Sequence, residues 1–249
     1  MCGFAGEFVF SQAAKADLDV AEAMAGRLAH RGPDDCGAYL SQDHRCAIAF
    51  RRLAVIDLDL SHQPMPSHDG SAVVAFNGEI YNFQPLRQRL EDHGVRLRTA
   101  GDTEVLPELY LRRGADMPAD LEGMFAFVIH DTREGTLFMA RDRLGQKPLW
   151  YALGPDRIIF ASEAKALLAH PAVAAEVDPS AVTMYLTLGY VPAPRSIWRD
   201  VRKLPAGCCM VVGPDGPGEP SRYWQPPETT EPASPGDAVE RVRHTLTEA

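Results

Sequence analysis

Short turns between strand-like segments constrain the fold of this chain more than any other feature of its sequence. Two pairs of apolar segments, rich in β-branched and aromatic residues, lie between positions 123 and 162. The pairs are residues 123–132 with 136–142, and residues 149–153 with 157–162. Three residues separate the members of each pair, and such short connections join only antiparallel neighbours. The sequence therefore predicts antiparallel β-sheet.

Further strands and helices are predicted on both sides of this region. Apolar and β-branched runs predict strands at residues 3–10, 46–57 and 71–80. Apolar spacing and glycine stop signals predict helices over residues 17–30, 82–93 and 102–113, and further helices near Ser162 and Pro179. Antiparallel strands with helices grouped in pairs favour an α+β fold of stacked layers over a parallel βαβ fold.

The C-terminal part of the sequence differs in composition from the rest. Residues 225–235 (QPPETTEPASP) are rich in proline, which is typical of a linker. Residues 236–249 follow, with Val239, Val242 and Leu246 at helical spacing. A single amphipathic helix after a linker usually belongs to another structural unit, so we expect residues 236–249 to be the start of a second domain.

Charge and composition exclude several classes of protein. The net charge is −9 and no basic run stands out, which argues against a nucleic acid or an anionic membrane as partner. Glu7 interrupts the apolar N-terminal stretch, and no basic residue precedes it, so neither a signal peptide nor a membrane span is predicted. A cytoplasmic protein is expected. The five cysteines and eight histidines lack metal-ligand spacing, so no metal site is expected.

Cysteine at position 2 is the strongest chemical signal in the sequence. Removal of Met1, which a small second residue permits, would place a thiol and a free α-amine on one residue. The amine titrates at about 7.7–8.0 and can take the thiol proton directly or through one water. Cys2 is therefore a candidate nucleophile that carries its own base, and a protein that keeps Met1 is expected to be inactive.

Motifs along most of the chain resemble the class II glutamine amidotransferase family, in the form found at the N-terminus of glutamine-hydrolysing asparagine synthetases. The motifs, in order, are MCGFAG (1–6), HRGPDD (30–35), RLAVID (52–57), FNGEIYN (76–82), GDTE (101–104), ARDRLGQKPLWY (140–151), FASEAKAL (160–167), PRSIWRDVRKLPAG (194–207) and RYW (222–224). The resemblance implies a glutaminase domain over residues 2–224. It also implies the four-layer αββα sandwich of N-terminal nucleophile hydrolases, with two antiparallel sheets face to face.

The resemblance also implies the reaction and its catalytic groups. Glutamine would be hydrolysed to glutamate and ammonia through attack of Cys2 on the side-chain amide, with no cofactor. Asn77 and Gly78 would supply the oxyanion hole, because one side-chain N–H and one backbone N–H can be fixed there before reaction. Without the other motifs, Asn-Gly between apolar segments is typical of a hairpin turn.

The remaining substrate contacts are implied in the same way. Arg52 would bind the α-carboxylate of glutamine, because a guanidinium can bind a carboxylate through two hydrogen bonds. Neighbouring strand residues face opposite ways, so only one of Arg51 and Arg52 can point into the site. Glu79 and Asp102 would hold the α-ammonium; for Asp102, an N-cap of the following helix is compatible with that role. Backbone groups of four residues would complete the wall beside Arg52: Leu53, Ala54, Val55 and Ile56.

Three features have no firm chemical assignment. Arg31 and Asp34 would order a loop over the glutamine site or line an exit for ammonia. The Gly-Gln-Lys-Pro sequence at residues 145–148 is typical of a structured turn, and Lys147 lacks the glycine-rich frame of a nucleotide-binding loop. Pro107 falls inside the predicted helix over 102–113 and is expected to bend it, which would affect Asp102.

The sequence leaves the ammonia acceptor open. Asparagine synthetases continue into a domain that uses ATP and Mg²⁺ to amidate aspartate, and residues 1–249 contain no S-G-G-x-D-S loop of that domain. A synthetase domain or subunit is therefore the expected partner of the glutaminase. The alternatives are another acceptor, such as a sugar phosphate, phosphoribosyl pyrophosphate or a secondary-metabolite carboxylate, and a silent regulatory module of the same fold. A homodimer is a further arrangement left open.

Overall fold

The computed structural model of the protein describes residues 1–11, 13–54, 61–228 and 234–248. The strands are β1 (Gly3–Val9), β2 (Asp35–Leu40), β3 (Cys46–Arg52), β4 (Met65–Pro66), β5 (Ala72–Ile80), β6 (Gly123–Asp131), β7 (Thr136–Arg141), β8 (Trp150–Leu153), β9 (Arg157–Ala161), β10 (Val201–Lys203), β11 (Cys208–Gly213), β12 (Gly216–Pro217) and β13 (Ser221–Arg222). The helices are α1 (Leu18–Gly26), α2 (Phe83–Asp92), α3 (Val105–Arg113), α4 (Ala164–Leu167), α5 (Pro179–Leu188) and α6 (Pro235–Glu248), with a 3₁₀ helix at Gly114–Asp120.

Two sheets organise the described residues. The first, called sheet A here, has the strand order β10-β8-β9-β1-β3-β2, and the second, sheet B, has the order β12-β11-β7-β6-β5-β4 with β13 paired to β11. The named strands pair antiparallel throughout both sheets. The predicted hairpins β6–β7 and β8–β9 are both present, one in each sheet. The prediction of antiparallel sheets in an α+β fold is confirmed.

The sheets are stacked face to face between helices. Alternate side chains of β1 and β3, including Phe4, Phe8 and Phe50, pack against Ala75 and Val128 of sheet B in the central core. The opposite face of sheet A is covered by α1 and α4, and the opposite face of sheet B by α2 and α3. Because strand residues alternate between faces, each strand contributes to two cores. The layer order is therefore αββα, as the resemblance implies.

The predicted helices are present with shifted ends. The helix predicted over 17–30 is α1, which ends at Gly26, and the helix predicted over 82–93 is α2. The helix predicted from Asp102 begins later, at Val105, so Pro107 lies in its first turn. Backbone N–H groups of a first turn have no partner within the helix, so proline removes no hydrogen bond there. The lost hydrogen bond from which the bend at Pro107 was expected is therefore not a feature of α3.

The predicted linker and C-terminal segment are described only in part. Residues 229–233 of the linker lie outside the described residues, as does part of the strand predicted over 46–57. Helix α6 begins at Pro235, and its apolar residues Val239, Val242 and Leu246 are each more than half exposed. Among the described residues, none of the helices has the length and apolar character needed to cross a membrane.

Candidate active site

A cavity of about 210 Å³ opens between the two sheets at the end where β1 begins. Sheet A contributes the N-terminal residues and the end of β3, whereas sheet B contributes β5 and the start of β6. The lining residues are Met1, Cys2, Arg52, Leu53, Ser61, Gln63, Phe76, Asn77, Gly78, Glu79, Asp102, Thr103, Met124 and Lys147. The structure thus brings together Cys2 and most of the residues that the sequence nominates.

The thiol of Cys2 lies on the cavity side of sheet A. Residues two apart in a strand face the same side, and the ring of Phe4 packs between the sheets. The side chain of Cys2 therefore points towards sheet B. The Leu53 N–H donates to Sγ at 3.4 Å, and the Leu53 carbonyl lies 3.6 Å from Sγ. Burial raises the pKa of the Cys2 thiol, while the Leu53 N–H, the N-terminal ammonium, Arg52 and Arg31 act in the opposite direction. The thiol therefore needs a nearby base and cations to react near neutral pH.

Arg31 holds the backbone of Cys2 from behind. Its Nε donates to the Cys2 carbonyl at 2.9 Å, and its Nη1 donates to Glu163 Oε1 at 2.7 Å. His30 Nε2 and Lys165 Nζ also lie against the Glu163 carboxylate, at 3.0 and 3.2 Å. The Glu163 carboxylate thus links three basic side chains. Arg31 is the most buried of the three, and its hydrogen bond to the carbonyl fixes the backbone of Cys2.

Asp34 orders the segment that follows β3. Its Oδ2 accepts a hydrogen bond from the Ala54 N–H at 2.9 Å. Leu53 lines the cavity beside Cys2, whereas Ala54 does not line it, and its N–H is used by Asp34. Val55 and Ile56, also predicted to form this wall, lie outside the described residues.

Asn77 and Gly78 lie in the middle of β5, not in a turn. They pair with Ala126 and Phe125 of β6, so the hairpin-turn interpretation is excluded. Asn77 has the same parity as Ala75, which packs between the sheets, and its side chain therefore points towards the Cys2 side. Asn77 is 1% exposed, and its Nδ2 has no hydrogen-bond partner among the described residues. A buried donor without a partner is costly and indicates a group that a ligand completes.

The N–H of Gly78 lies on an open strand edge. On that edge, the Phe76 N–H donates to Gln63 Oε1 at 2.7 Å and the Ile80 N–H donates to Asp102 Oδ2 at 2.9 Å. Backbone groups two residues apart in a strand point to the same side, so the Gly78 N–H points the same way, into the cavity. A Cβ at position 78 would lie 2.1 Å from the Met124 carbonyl oxygen, which explains the glycine.

Arg52 lies on the cavity face of β3. It is 5% exposed and lines the cavity, whereas the half-buried Arg51 lies on the opposite face, next to residues that pack under α1. The prediction that only one of these arginines points into the cavity is confirmed. Cys2 and Arg52 are neighbours across the β1–β3 pairing, because Gly3 lies opposite Arg51 in the register. A planar cation therefore stands beside the thiol.

Glu79 and Asp102 form the acidic wall of the cavity. Asp102 is 7% exposed, and its carboxylate accepts the Ile80 N–H. Burial raises the pKa of Asp102, and the negative charge of Glu79 raises it further. Glu104 occupies the N-cap position of α3, so Asp102 is not the N-cap. Two carboxylates around one small space would be stabilised by a bound cation.

The structure adds lining residues that the sequence did not nominate. Met1, Ser61, Gln63, Phe76, Thr103, Met124 and Lys147 all reach the cavity. Met1, Phe76, Thr103 and Lys147 lie within the motifs named above, whereas Ser61, Gln63 and Met124 lie outside them. Among the described residues, no cluster of His, Cys, Asp or Glu is arranged to hold a metal ion.

Comparison with known families identifies the family of this chain. The sequence profile of the family described as "Glutamine amidotransferase domain" matches residues 1–224. This chain belongs to the glutamine amidotransferase domain family. The family predicted from the sequence motifs, and with it the class of enzyme, is confirmed.

Curated relatives of this glutamine amidotransferase domain are longer proteins. The chain is 36% identical over 219 residues to "Asparagine synthetase [glutamine-hydrolyzing] 1" of Bacillus subtilis, covering 87% of this chain and 34% of the relative. It is 32% identical over 252 residues to "Asparagine synthetase [glutamine-hydrolyzing] 3" of the same organism, covering 100% of this chain and 41% of the relative. The chain thus spans about a third to two fifths of the length of these relatives.

Two solved structures share the fold of this domain. The glutamine phosphoribosylpyrophosphate amidotransferase of B. subtilis, complexed with ADP and GMP, superposes with a TM-score of 0.64 at 19% identity, covering 90% of this chain and 50% of that one. An allosteric regulatory enzyme of purine biosynthesis superposes with a TM-score of 0.66 at 21% identity, with the same coverage of both chains. At these identities the likeness concerns the fold alone, and it confirms the predicted N-terminal nucleophile hydrolase architecture.

Proposed function

We propose that this amidotransferase domain hydrolyses the side-chain amide of glutamine to glutamate and ammonia, with Cys2 as the nucleophile. One observation carries the proposal: the Cys2 thiol, the Gly78 N–H and Asn77, whose Nδ2 has no partner among the described residues, line the same cavity from opposing sheets. A nucleophile facing two fixed N–H donors is the arrangement that acyl transfer requires.

The reaction would proceed in two steps, formation of a thioester and its hydrolysis. After loss of Met1, the α-amine of Cys2 takes the thiol proton, Sγ bonds to the amide carbon, and the carbonyl π electrons move onto oxygen. Asn77 Nδ2–H and Gly78 N–H stabilise that oxyanion. The oxyanion collapses to a thioester as the C–N bond breaks, and the amine returns the proton to the departing ammonia. Water then attacks the thioester, releasing glutamate and regenerating the thiol.

The charged walls would select an amino acid over a simple amide. Arg52 would bind the α-carboxylate, and Glu79 with Asp102 would bind the α-ammonium. The ammonium would relieve the repulsion between the two carboxylates and would counteract the raised pKa of Asp102. Glutamine bound in this way would place its side chain towards Cys2, since Cys2 and Arg52 are neighbours on one face of sheet A.

For the acceptor, we propose a synthetase domain or subunit that amidates aspartate. The names of the relatives, which are asparagine synthetases with additional length, favour this acceptor over a sugar phosphate or another carboxylate. ATP and Mg²⁺ would serve that partner, whereas hydrolysis of glutamine needs only water. The test is recovery of the labelled amide nitrogen in asparagine when the domain is combined with such a partner; label in free ammonia alone would contradict it. A cytoplasmic location and a homodimer remain predictions.

The glutaminase activity is tested by ammonia release from glutamine. The Met1-processed protein should release ammonia and glutamate in equal amounts, and Cys2→Ala should release neither. Cys36→Ala is the matched control, because Cys36 is exposed on β2 and does not line the cavity. Equal activity of Cys2→Ala and the wild type would reject the proposal.

A further inference from the structure

The ARDRLGQKPLWY motif forms a turn built around one buried carboxylate. Asp142 is fully buried, and its two oxygens accept the N–H groups of Leu144, Gln146 and Lys147 at 3.1, 2.9 and 2.9 Å. Arg141 completes the turn by donating to the Lys147 carbonyl at 2.8 Å. The predicted structured turn at residues 145–148 is therefore present. Because both backbone groups of Lys147 are occupied, its side chain is the part that remains for the cavity.

The turn holds the backbone of Lys147 near Gly78, one of the two proposed oxyanion-hole residues. Asp142 Oδ2 accepts both the Lys147 N–H and the Phe125 N–H, the latter at 3.2 Å. Phe125 lies directly opposite Gly78 in the β5–β6 register. The backbone of Lys147 is thus tied to the strand residue that faces Gly78, whereas Asp102 is tied to Ile80, two residues further along β5.

Lys147 carries a charge that the described residues do not neutralise. It is 7% exposed and lines the cavity, and no carboxylate of the described residues forms an ion pair with it. A cation that lines a cavity without a counter-ion attracts a ligand that supplies negative charge. In the proposed substrate complex, Arg52 already serves the α-carboxylate. The remaining negative charge of the reaction arises at the side-chain end of glutamine.

We propose that Lys147 is the cation that meets the negative charge formed at the glutamine side chain, first on the tetrahedral oxyanion and then on the γ-carboxylate of glutamate. This inference rests on the proposed function and adds a charged contact to its two neutral N–H donors. Charge-assisted hydrogen bonds are stronger than neutral ones. Lys147 therefore discriminates between glutamine and glutamate, which differ only by a neutral amide and a negative carboxylate at this end.

Binding of the two ligands tests this inference without turnover. In a Cys2→Ala background, calorimetry gives the dissociation constants of glutamate and glutamine for each variant. Removal of the charge in Lys147→Gln should weaken the binding of glutamate by about tenfold. The affinity for glutamine should change by less than about twofold. Lys147→Met, which keeps the aliphatic stem, should behave the same way, and Lys147→Arg should keep most of the affinity for glutamate. Lys15→Gln is the control, because Lys15 is exposed and does not line the cavity.

The possible outcomes separate this inference from the proposed function. An unchanged ratio of glutamate to glutamine affinity in both neutral variants overturns the role of Lys147. Equal weakening of both ligands also overturns it, because Lys147 would then contact the shared α-carboxylate. A wild-type protein that releases no ammonia contradicts the proposed function instead, and the binding ratio still decides whether Lys147 faces the side-chain end.

Discussion

The guanidinium of Arg31 donates a hydrogen bond from Nε to the carbonyl oxygen of Cys2 at 2.9 Å. Gly3 leaves room for this approach, because a Cβ at position 3 would be in tight contact with Arg31 Cδ, at 3.2 Å. Glu163 holds the other end of the guanidinium, at 2.7 Å from Nη1. The backbone of the candidate nucleophile is therefore fixed by a charge on the segment after α1 and by a carboxylate on the segment before α4.

Glu163→Gln should lower both stability and turnover. Burial raises the pKa of Glu163, but hydrogen bonds from Arg31, His30 and Lys165 outweigh it and lower the pKa to about 2. A lowered pKa stabilises the fold fully above the ordinary value of 4.5, and this contribution is lost as the pH falls towards 2. At pH 7 the variant should lose about 1–2 kcal/mol, since partial exposure weakens the pairs.

Urea unfolding at several pH values, with kcat measured at pH 7.5, tests this prediction. The stability difference between wild type and Glu163→Gln should shrink on acidification below about pH 4.5. Glu176→Gln is the matched control, because Glu176 pairs with Arg199 on the surface with both side chains 53% exposed. A stability difference that stays constant from pH 7 to pH 3 would refute the linkage.

Asn77→Ala should reduce turnover far more than substrate binding. The side-chain amide is expected to donate to the oxyanion and not to the ground-state carbonyl, so its loss should lower kcat by about 10²–10³-fold with KM nearly unchanged. Steady-state ammonia release against glutamine concentration measures both constants. If the whole loss of kcat/KM came from a higher KM, with kcat unchanged, Asn77 would contribute to substrate binding and not to the oxyanion hole.

Arg52→Lys should raise KM for glutamine. A lysine keeps the positive charge but cannot form two parallel hydrogen bonds with the α-carboxylate, so we expect a loss of about 1–2 kcal/mol in binding. Arg51→Lys provides the control on the opposite face of β3. Equal KM values for the two variants would show that Arg52 does not hold the α-carboxylate.

Asp102 should make glutamine binding dependent on pH. Because burial and Glu79 raise its pKa, Asp102 takes up a proton at a higher pH than an ordinary aspartate does. Protonation removes a negative charge from the ammonium site, so KM for glutamine should rise on acidification. The rise should begin at a higher pH than it would for an aspartate with an ordinary pKa. Asp102→Asn should raise KM at neutral pH and flatten this dependence. An unchanged pH profile of KM in the variant would exclude Asp102 from the ammonium site.

Local sequence patterns predict the hairpins and the helices of this fold, but not every role of its residues. Asn-Gly at 77–78 has the local pattern of a turn, and only the pairing of nine consecutive residues of β5 with β6 places it inside a strand. Asp102 has the local pattern of a helix cap, yet its carboxylate serves a strand edge instead. In both cases a long-range contact overrides a short-range preference: strand pairing for Asn77 and a side-chain hydrogen bond to Ile80 for Asp102.

Contacts between the sheets could not be predicted from strand and helix patterns. Lys147 reaches the cavity because Asp142 ties its turn to Phe125, a relationship that depends on the register of β6. Gln63 lies between predicted strands, yet its side-chain oxygen accepts a hydrogen bond from the Phe76 N–H at the open edge of β5. The faces of Arg51 and Arg52, in contrast, follow from simple strand alternation, once one of them is known to face the cavity.

The central claim is that Cys2, freed from Met1, attacks the side chain of glutamine. The most direct measurement is peptide mass spectrometry after treatment with a glutamine-mimicking diazoketone, with ammonia release followed in the same samples. We expect one adduct per chain, on Cys2, only in protein that has lost Met1, and loss of activity in step with labelling. Labelling of another residue, or full activity in protein that retains Met1 or has every Cys2 blocked, would contradict it.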